Sequence, residues 1–364
     1  MRVIAQTKTR TWFAPILAAA VVAVALSLAG PASAQQKSAF NICWSIYVGW
    51  MPWGHMADSG IMKKWADKYG ITVNVVQIND YVESINQYTA GKFDGCSMTN
   101  MDALTIPAAG GVDTTALIVG SFSNGNDGIV TKKGKTVAAL KGEKINQVEF
   151  SVSHYLLARA LALNGMTERD VTSVNTSDAD IVAAFVSPDV TTTVTWNPQL
   201  SEVKAAPGAN EVFNSSLIPG EIIDMMVVNS EVLKANPKFG QALVGAWYET
   251  IALMADKTAK GTAARTAMAK ASGTVLAGFD AQLKTTRMFY APAEAVAFSA
   301  SPDLIKTMDY VARFSFDHSL LGTGAKSKDA VGMAFPGGKT LGDTANIKLR
   351  FDPSYMEMAA QGKL

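Results

Sequence analysis

Apolar and polar positions along this chain switch repeatedly between two periods. An apolar run around Phe40 and Ile42 reads as a first strand. From Met56 to Tyr69, Met, Ile and Trp recur against Lys and Asp at helical spacing until Gly70 stops the pattern. The β-rich run 71–78 follows, then a helix from Asn79-Asp80-Tyr81 through Ala90, capped by Gly91. Residues 93–98 form a third strand, 103–109 a helix and 115–120 a further strand. Strands alternating with helices predict parallel βαβ units and hence an α/β fold. A polar, glycine-bearing segment at 121–128 breaks this rhythm, and there the chain is expected to cross into a second lobe. The cycle then restarts with strand 144–148, helix 155–164, strand 171–175, helix 179–186 and strand 191–195, which ends in Trp196-Asn197-Pro198. Residues 221–228 form a strand read as the return crossing. Helices dominate from Ser230 to Ser315, and 322–364 is loop-rich with no legible motif. The predicted organisation is a first lobe over 38–125, a second over 126–223, and a return to the first over 224–364 with a helical C-terminal segment.

The extreme N-terminus changes the picture of where the protein acts. Arg2, Lys8 and Arg10 precede an apolar run over 12–30, and Pro31-Ala32-Ser33-Ala34 supplies an A-x-A cleavage site. Residues 1–34 are therefore expected to be a signal peptide cleaved near Ala34, leaving an exported, soluble chain. No later stretch offers the ~20 apolar residues that a spanning helix needs. The length of 364 residues favours two lobes over one core. A net charge of +1 with 17% charged residues gives no footprint for nucleic acid or an anionic membrane. Export permits a disulfide between Cys43 and Cys96, yet neighbouring strands often hold Cβ atoms at unsuitable distances, so the pairing stays open here. His55, His154 and His318 are too few and scattered for a zinc signature; no metal and no cofactor is expected. The chain lacks a Walker-type phosphate loop and a Gly-x-Ser-x-Gly elbow. Ser153 beside His154 does not by itself provide nucleophile–base geometry, which leaves a periplasmic enzyme as the lesser alternative to a binding protein.

The candidate chemistry gathers at strand ends. Between Cys43 and His55 the chain places Trp44, Tyr47, Trp50 and Trp53 among Gly49, Pro52 and Gly54, on a strand-to-helix loop. In open α/β sheets, ligands bind at such loops. Further landmarks follow in order: Gly91-x-x-Asp94, Leu140-Lys-Gly142, Ser151-Val-Ser-His154, Asn164-Gly165-Met166 before Arg169-Asp170-Val171, and Trp196-Asn197-Pro198. Over roughly residues 40–250 the chain resembles the solute-binding proteins of ABC importers in the nitrate/taurine/sulfonate branch. Ile42-Cys-Trp-Ser45, Gly49-Trp-Met-Pro-Trp53 and Thr99-Asn-Met-Asp-Ala103 are most similar to the members encoded beside urea carboxylase, which are linked with urea or guanidine. The resemblance implies a two-lobed periplasmic binding protein fold of the type II kind, each lobe a mostly parallel sheet flanked by helices. It further implies a monomer that closes about a hinge near 123–127 and Met225. Such a protein delivers a small-molecule ligand, here guanidine or a urea-like solute, to an ABC permease in the inner membrane.

The expected cleft consists of segments 45–55, 79–83, 99–102, 124–127, 149–154, 196–199 and 221–224, and none contains Lys or Arg. Nitrate and sulfonate favour charge-assisted donors, for which Arg is the usual source, although helix N-termini also bind anions. The same segments hold Asp80, Glu83, Asp102, Asp127, Glu149, Glu221 and Asp224. Carboxylates with aromatic faces suit a small organic cation: the ring quadrupole attracts it and a carboxylate accepts paired N–H donors from a planar guanidinium. The expected contacts are Trp44, Ser45, Tyr47, Trp50 and Trp53 from the first loop, then Asp80, Thr99, Asn100 and Asp102. The second lobe and the return strand add Glu149, Ser151, Ser153, Trp196 and Asp224. Against this, single rings in such a loop suit core packing, Asp80, Asp102 and Asp224 have the residue type of N-caps and turns, and His154 suits packing or helix capping. Guanidinium is the leading ligand, with urea and a small anion as alternatives.

Overall fold

The computed structural model describes Arg2 and residues 37–364. Apart from Arg2, the expected signal segment lies outside the described residues. Among the described residues the strands divide between two sheets. The first takes β1 (Ala39–Trp44), β2 (Thr72–Gln77), β3 (Gly95–Thr99) and β4 (Thr114–Ser123). The chain then crosses and builds the second from β5 (Asp127–Thr131), β6 (Lys144–Gln147), β7 (Thr172–Asn175), β8 (Thr192–Trp196) and β9 (Asn210–Asn214). It returns in β10 (Ile223–Asn229), and the first sheet is completed by β11 (Thr286–Met288), β12 (Gly332–Phe335), β13 (Lys339–Leu341) and β14 (Ile347–Phe351).

The first sheet runs β13-β12-β14-β4-β10-β3-β1-β2, with β11 on β4, and the second runs β7-β6-β8-β5-β9. The βαβ units pair in parallel: β1 with β2 and β3, β6 with β7 and β8. Strands that carry the chain between sheets run the other way. β10 is antiparallel to β3 and β4, and β5 is antiparallel to β8 and β9. Two short crossings, 124–126 and 215–222, therefore leave the first sheet from adjacent strands.

Burial follows position in the sheet. β3, in the sheet interior, is buried at every residue, whereas β2 at the edge exposes alternate side chains. The helix Pro237–Ala255 covers one face, stacking Phe239 on Phe40 at 4.4 Å and Trp247 on Trp53 at 5.0 Å. Gly54 makes room below that layer, since a Cβ there would lie 2.6 Å from the Trp44 ring.

Some local expectations change. The helical stretch 56–69 is two helices, Met51–Asp58 and Ile61–Tyr69, because Gly60 adopts a φ of 77° and redirects the chain. The first begins earlier than expected, with Pro52 accommodated in its opening turn. Strands β9 and β11 were not expected, and 322–364 holds β12, β13, β14 and the helix Ser354–Ala360. Cys43 and Cys96 face each other in the β1–β3 register and are joined by a disulfide.

Candidate ligand-binding site

Loops from both sheets and both crossings meet at one small cavity, lined by Tyr47, Trp50, Tyr81, Thr99, Asp127, Val152, Trp196, Ile222 and Asp224. Each of these residues is no more than 5% exposed. Only about 20 Å³ of the cavity is open to the centre of a water-sized sphere, room for a molecule of a few heavy atoms at most.

The rings are held by the local sequence. Tyr47 and Trp50 flank a turn in which a Cβ on Gly49 would lie 2.6 Å from Tyr47 Cε1, so glycine lets the ring fold over its own loop. Tyr81 opens the helix Tyr81–Thr89, whose start Asp80 caps by accepting the Glu83 N–H at 2.8 Å. Trp196 ends β8, just before a cis Asn197–Pro198 bond. Successive ring centroids lie 5.1 Å apart for Tyr47–Trp50, 5.7 Å for Trp50–Tyr81 and 5.6 Å for Tyr81–Trp196. The cavity thus has an aromatic wall drawn from both sheets.

Two carboxylates complete the lining. Asp224 on β10 accepts the Tyr47 hydroxyl at 2.9 Å and the Ser121 hydroxyl at 2.6 Å. Asp127, the first residue of β5, accepts the Ser123 hydroxyl. Behind the wall Asp102 accepts Tyr81 at 2.5 Å and Thr99 at 2.7 Å, and faces the Val152 N–H at the start of the helix Val152–Leu163. Burial pushes Asp224 and Asp102 up to about 6 despite these donors. Burial, together with the charges of Asp224 and Asp102, pushes Asp127 up to about 7 although Ser123 pulls it down. Burial, then neighbouring carboxylates, drives the Tyr47 and Tyr81 phenols well above their ordinary range, so both remain donors. Among the described residues, no ion pair involves Asp102, Asp127 or Asp224.

Of the expected contacts, Tyr47, Trp50, Thr99, Trp196 and Asp224 line this cavity together. Asp102 stands one shell behind, and Trp44 and Ser45 are buried beside the loop without lining it. Trp53 belongs to the stack with Trp247. Asp80 is an N-cap, and Asn100 ties its helix to the second crossing through the Ile223 N–H and the Glu221 carbonyl. Glu149 is partly exposed away from the lining, its own N–H bonded to Asn175. Ser151 caps the helix Val152–Leu163 by accepting the Ser153 N–H, and Ser153 is buried at the same helix start. Glu221, counted among the cleft carboxylates, is taken by Arg159 in two hydrogen bonds of 2.8 and 2.9 Å.

Sequence reasoning did not single out Tyr81, Val152 and Ile222, and counted Asp127 among the cleft carboxylates without naming it a contact. Tyr81 had one signal, its position next to a capping Asp at a strand end. Val152 and Ile222 are apolar and carried none.

A family model described as the NMT1-like family matches residues 44–270. The chain belongs to the NMT1-like family. This NMT1-like protein is 27% identical over 176 residues to a Brucella abortus protein provisionally named a binding protein. That match covers 47% of this chain and 54% of the relative, so the chain spans about half the length of the curated relatives it matches. Among solved structures it is similar to the alkanesulfonate-binding protein SsuA from Xanthomonas axonopodis pv. citri, with a TM-score of 0.65 at 19% identity, covering 80% of this chain and 96% of that one. The nitrate-binding protein NrtA from Synechocystis PCC 6803 gives a TM-score of 0.55 at 13% identity, covering 90% and 99%. At such identities the likeness establishes the fold, the two-sheet α/β fold of periplasmic binding proteins.

Proposed function

We propose that this protein is the exported solute-binding receptor of an ABC importer, and that it captures guanidinium in the cavity between its two sheets. The structural neighbours named above are binding proteins, not enzymes. No helix among the described residues is long and apolar enough to cross a membrane. The ligand reading is carried by one observation: the cavity is lined by four aromatic rings and two carboxylates, and no Lys or Arg contributes to it. A bound cation lies against ring faces, each good contact contributing about 0.5–2 kcal/mol, and presents N–H groups to Asp127 and Asp224 in charge-assisted hydrogen bonds. A sulfonate or nitrate would meet the same carboxylates with no cationic partner, and the repulsion grows as water is excluded.

Urea is the second reading, favoured by the buried Trp50 indole N–H, which has no hydrogen-bond partner and suits an acceptor oxygen. Isothermal titration of ligand-stripped protein with guanidinium, urea, taurine and nitrate in parallel separates these readings. Saturable guanidinium binding, weakened in Trp196→Ala, is the expected result. Tight taurine or nitrate binding with none for guanidinium overturns the cation reading.

A further inference from the structure

Outside the cavity, one cluster of titratable groups ties together elements that belong with different sheets. His154 lies on the helix Val152–Leu163 and Glu168 in the turn before β7, both within the segment that builds the second sheet. His318 caps the C-terminus of the helix Pro302–Asp317, which packs on the helix Asn100–Ala103 after β3 of the first. Glu168 receives both imidazoles, His154 Nε2 on Oε1 and His318 Nε2 on Oε2, each at 2.5 Å.

The other ring nitrogens define the protonation pattern. His154 Nδ1 accepts the Phe150 N–H at 3.1 Å, so its proton sits on Nε2 and goes to Glu168. His318 Nδ1 lies 2.8 Å from the Phe314 carbonyl, which can only accept. A neutral imidazole has one N–H and cannot serve that carbonyl and Glu168 together; His318 does both only as the imidazolium. The three ligand atoms lie within 4.8 Å of one another, as a metal would require. With its proton on Nε2, however, His154 has no lone pair there to offer one.

We propose that His154, Glu168 and His318 form a proton-held clasp that closes the second-sheet half of the receptor onto the first while His318 is charged. The clasp rests on the two-halved receptor proposed above. Rings reinforce it: Phe314 packs against His318 at 4.1 Å and against Tyr155 at 5.3 Å. The other charged groups on these elements leave the cluster to itself. Asp317 adjoins His318 and favours its charged form, Arg159 is engaged by Glu221, Asp170 bonds Thr167 and pairs with Lys141, and Arg169 is exposed. Burial opposes the charge on His318, but Glu168 and the Phe314 carbonyl outweigh it and raise the group above its ordinary 6.5. Burial likewise opposes ionised Glu168, yet the two histidines hold it down at about 2. The clasp is therefore fully made below the ordinary histidine value, and it is lost as pH climbs through the raised value of His318. At the acid end it fails only as pH falls from 4.5 towards 2.

The test uses the whole protein. A histidine NMR titration without ligand should give His318 a midpoint above the ordinary value, returning to it in Glu168→Gln; an ordinary midpoint in the wild type overturns the clasp whether or not guanidinium binds. With guanidinium bound, release from His318→Gln should be about two- to fivefold faster than from wild type in mild acid. The two rates should converge as pH rises, and a ratio independent of pH overturns the proposal. Tight one-to-one binding of zinc chloride, lost in both His154→Gln and His318→Gln, would also overturn it by making the cluster a metal centre. Complete absence of guanidinium binding counts against the ligand reading alone.

Discussion

At the scale of single residues, the proposed recognition rests on side chains that are prevented from pairing with one another. Asp224 has donors from Tyr47 and Ser121, and Asp127 has one from Ser123, but neither has a cation. Hydroxyl donors orient a carboxylate without neutralising it, so once the group ionises its charge is available to a ligand. Asp224→Asn keeps the shape and removes that charge. Guanidinium affinity should fall about 10- to 100-fold, the worth of a charge-assisted hydrogen bond at about 1.5–3 kcal/mol, as read by titration calorimetry. Glu149→Gln should leave affinity unchanged, since Glu149 lies off the cavity; an equal loss in both variants would remove Asp224 from the binding role.

At the scale of elements, the alternating strand–helix pattern was legible because it depends on short-range periodicity. Gly60 was not, since a glycine inside a helical pattern reads as a tolerated residue until its φ of 77° is known. The Ile347-Lys-Leu-Arg-Phe351 alternation of β14 was present in the sequence but too short to stand out among loops. Two of the nine lining residues were hidden for a different reason. Val152 and Ile222 gain their role only from the docking of one sheet's elements on the other's. The Cys43–Cys96 pairing likewise depends on register between strands 53 residues apart. A cross-link closing a loop of that length contributes about 4 kcal/mol by chain entropy. Reduction, or a paired Cys43→Ser and Cys96→Ser change, should lower the urea midpoint accordingly with little change in guanidinium affinity below it.

At the scale of the molecule, the carboxylates link ligand binding to stability. Asp127 at about 7, and Asp224 and Asp102 at about 6, hold protons in the folded protein at pH values where an unfolded Asp, near 3.8, has lost them. Their contribution to stability is thus greatest in acid and is lost as pH climbs through 6 and 7. Scanning calorimetry of the ligand-free protein should show the melting temperature falling over this range, and Asp127→Asn should flatten the profile. Cation affinity should rise over the same interval, because the bound form requires ionised carboxylates. An affinity that falls instead would assign the site to an anion.

The two crossings leave adjacent strands, and the carboxylates that line the cavity sit at their far ends: Asp127 directly after 124–126 and Asp224 two residues past 215–222. Ser215 on the second crossing hydrogen-bonds Ser123 at 2.6 Å and the Gly125 N–H at 2.8 Å, knotting the two paths together. On the proposed reading, the ligand is gripped at the joint itself rather than at the tips of the jaws. Above pH 7, where both are ionised, two like charges at a joint act as a compressed spring that props an empty receptor ajar, and a cation seated between them turns the spring into a staple. The sensing of the solute and the change of shape that a permease would read are then one event.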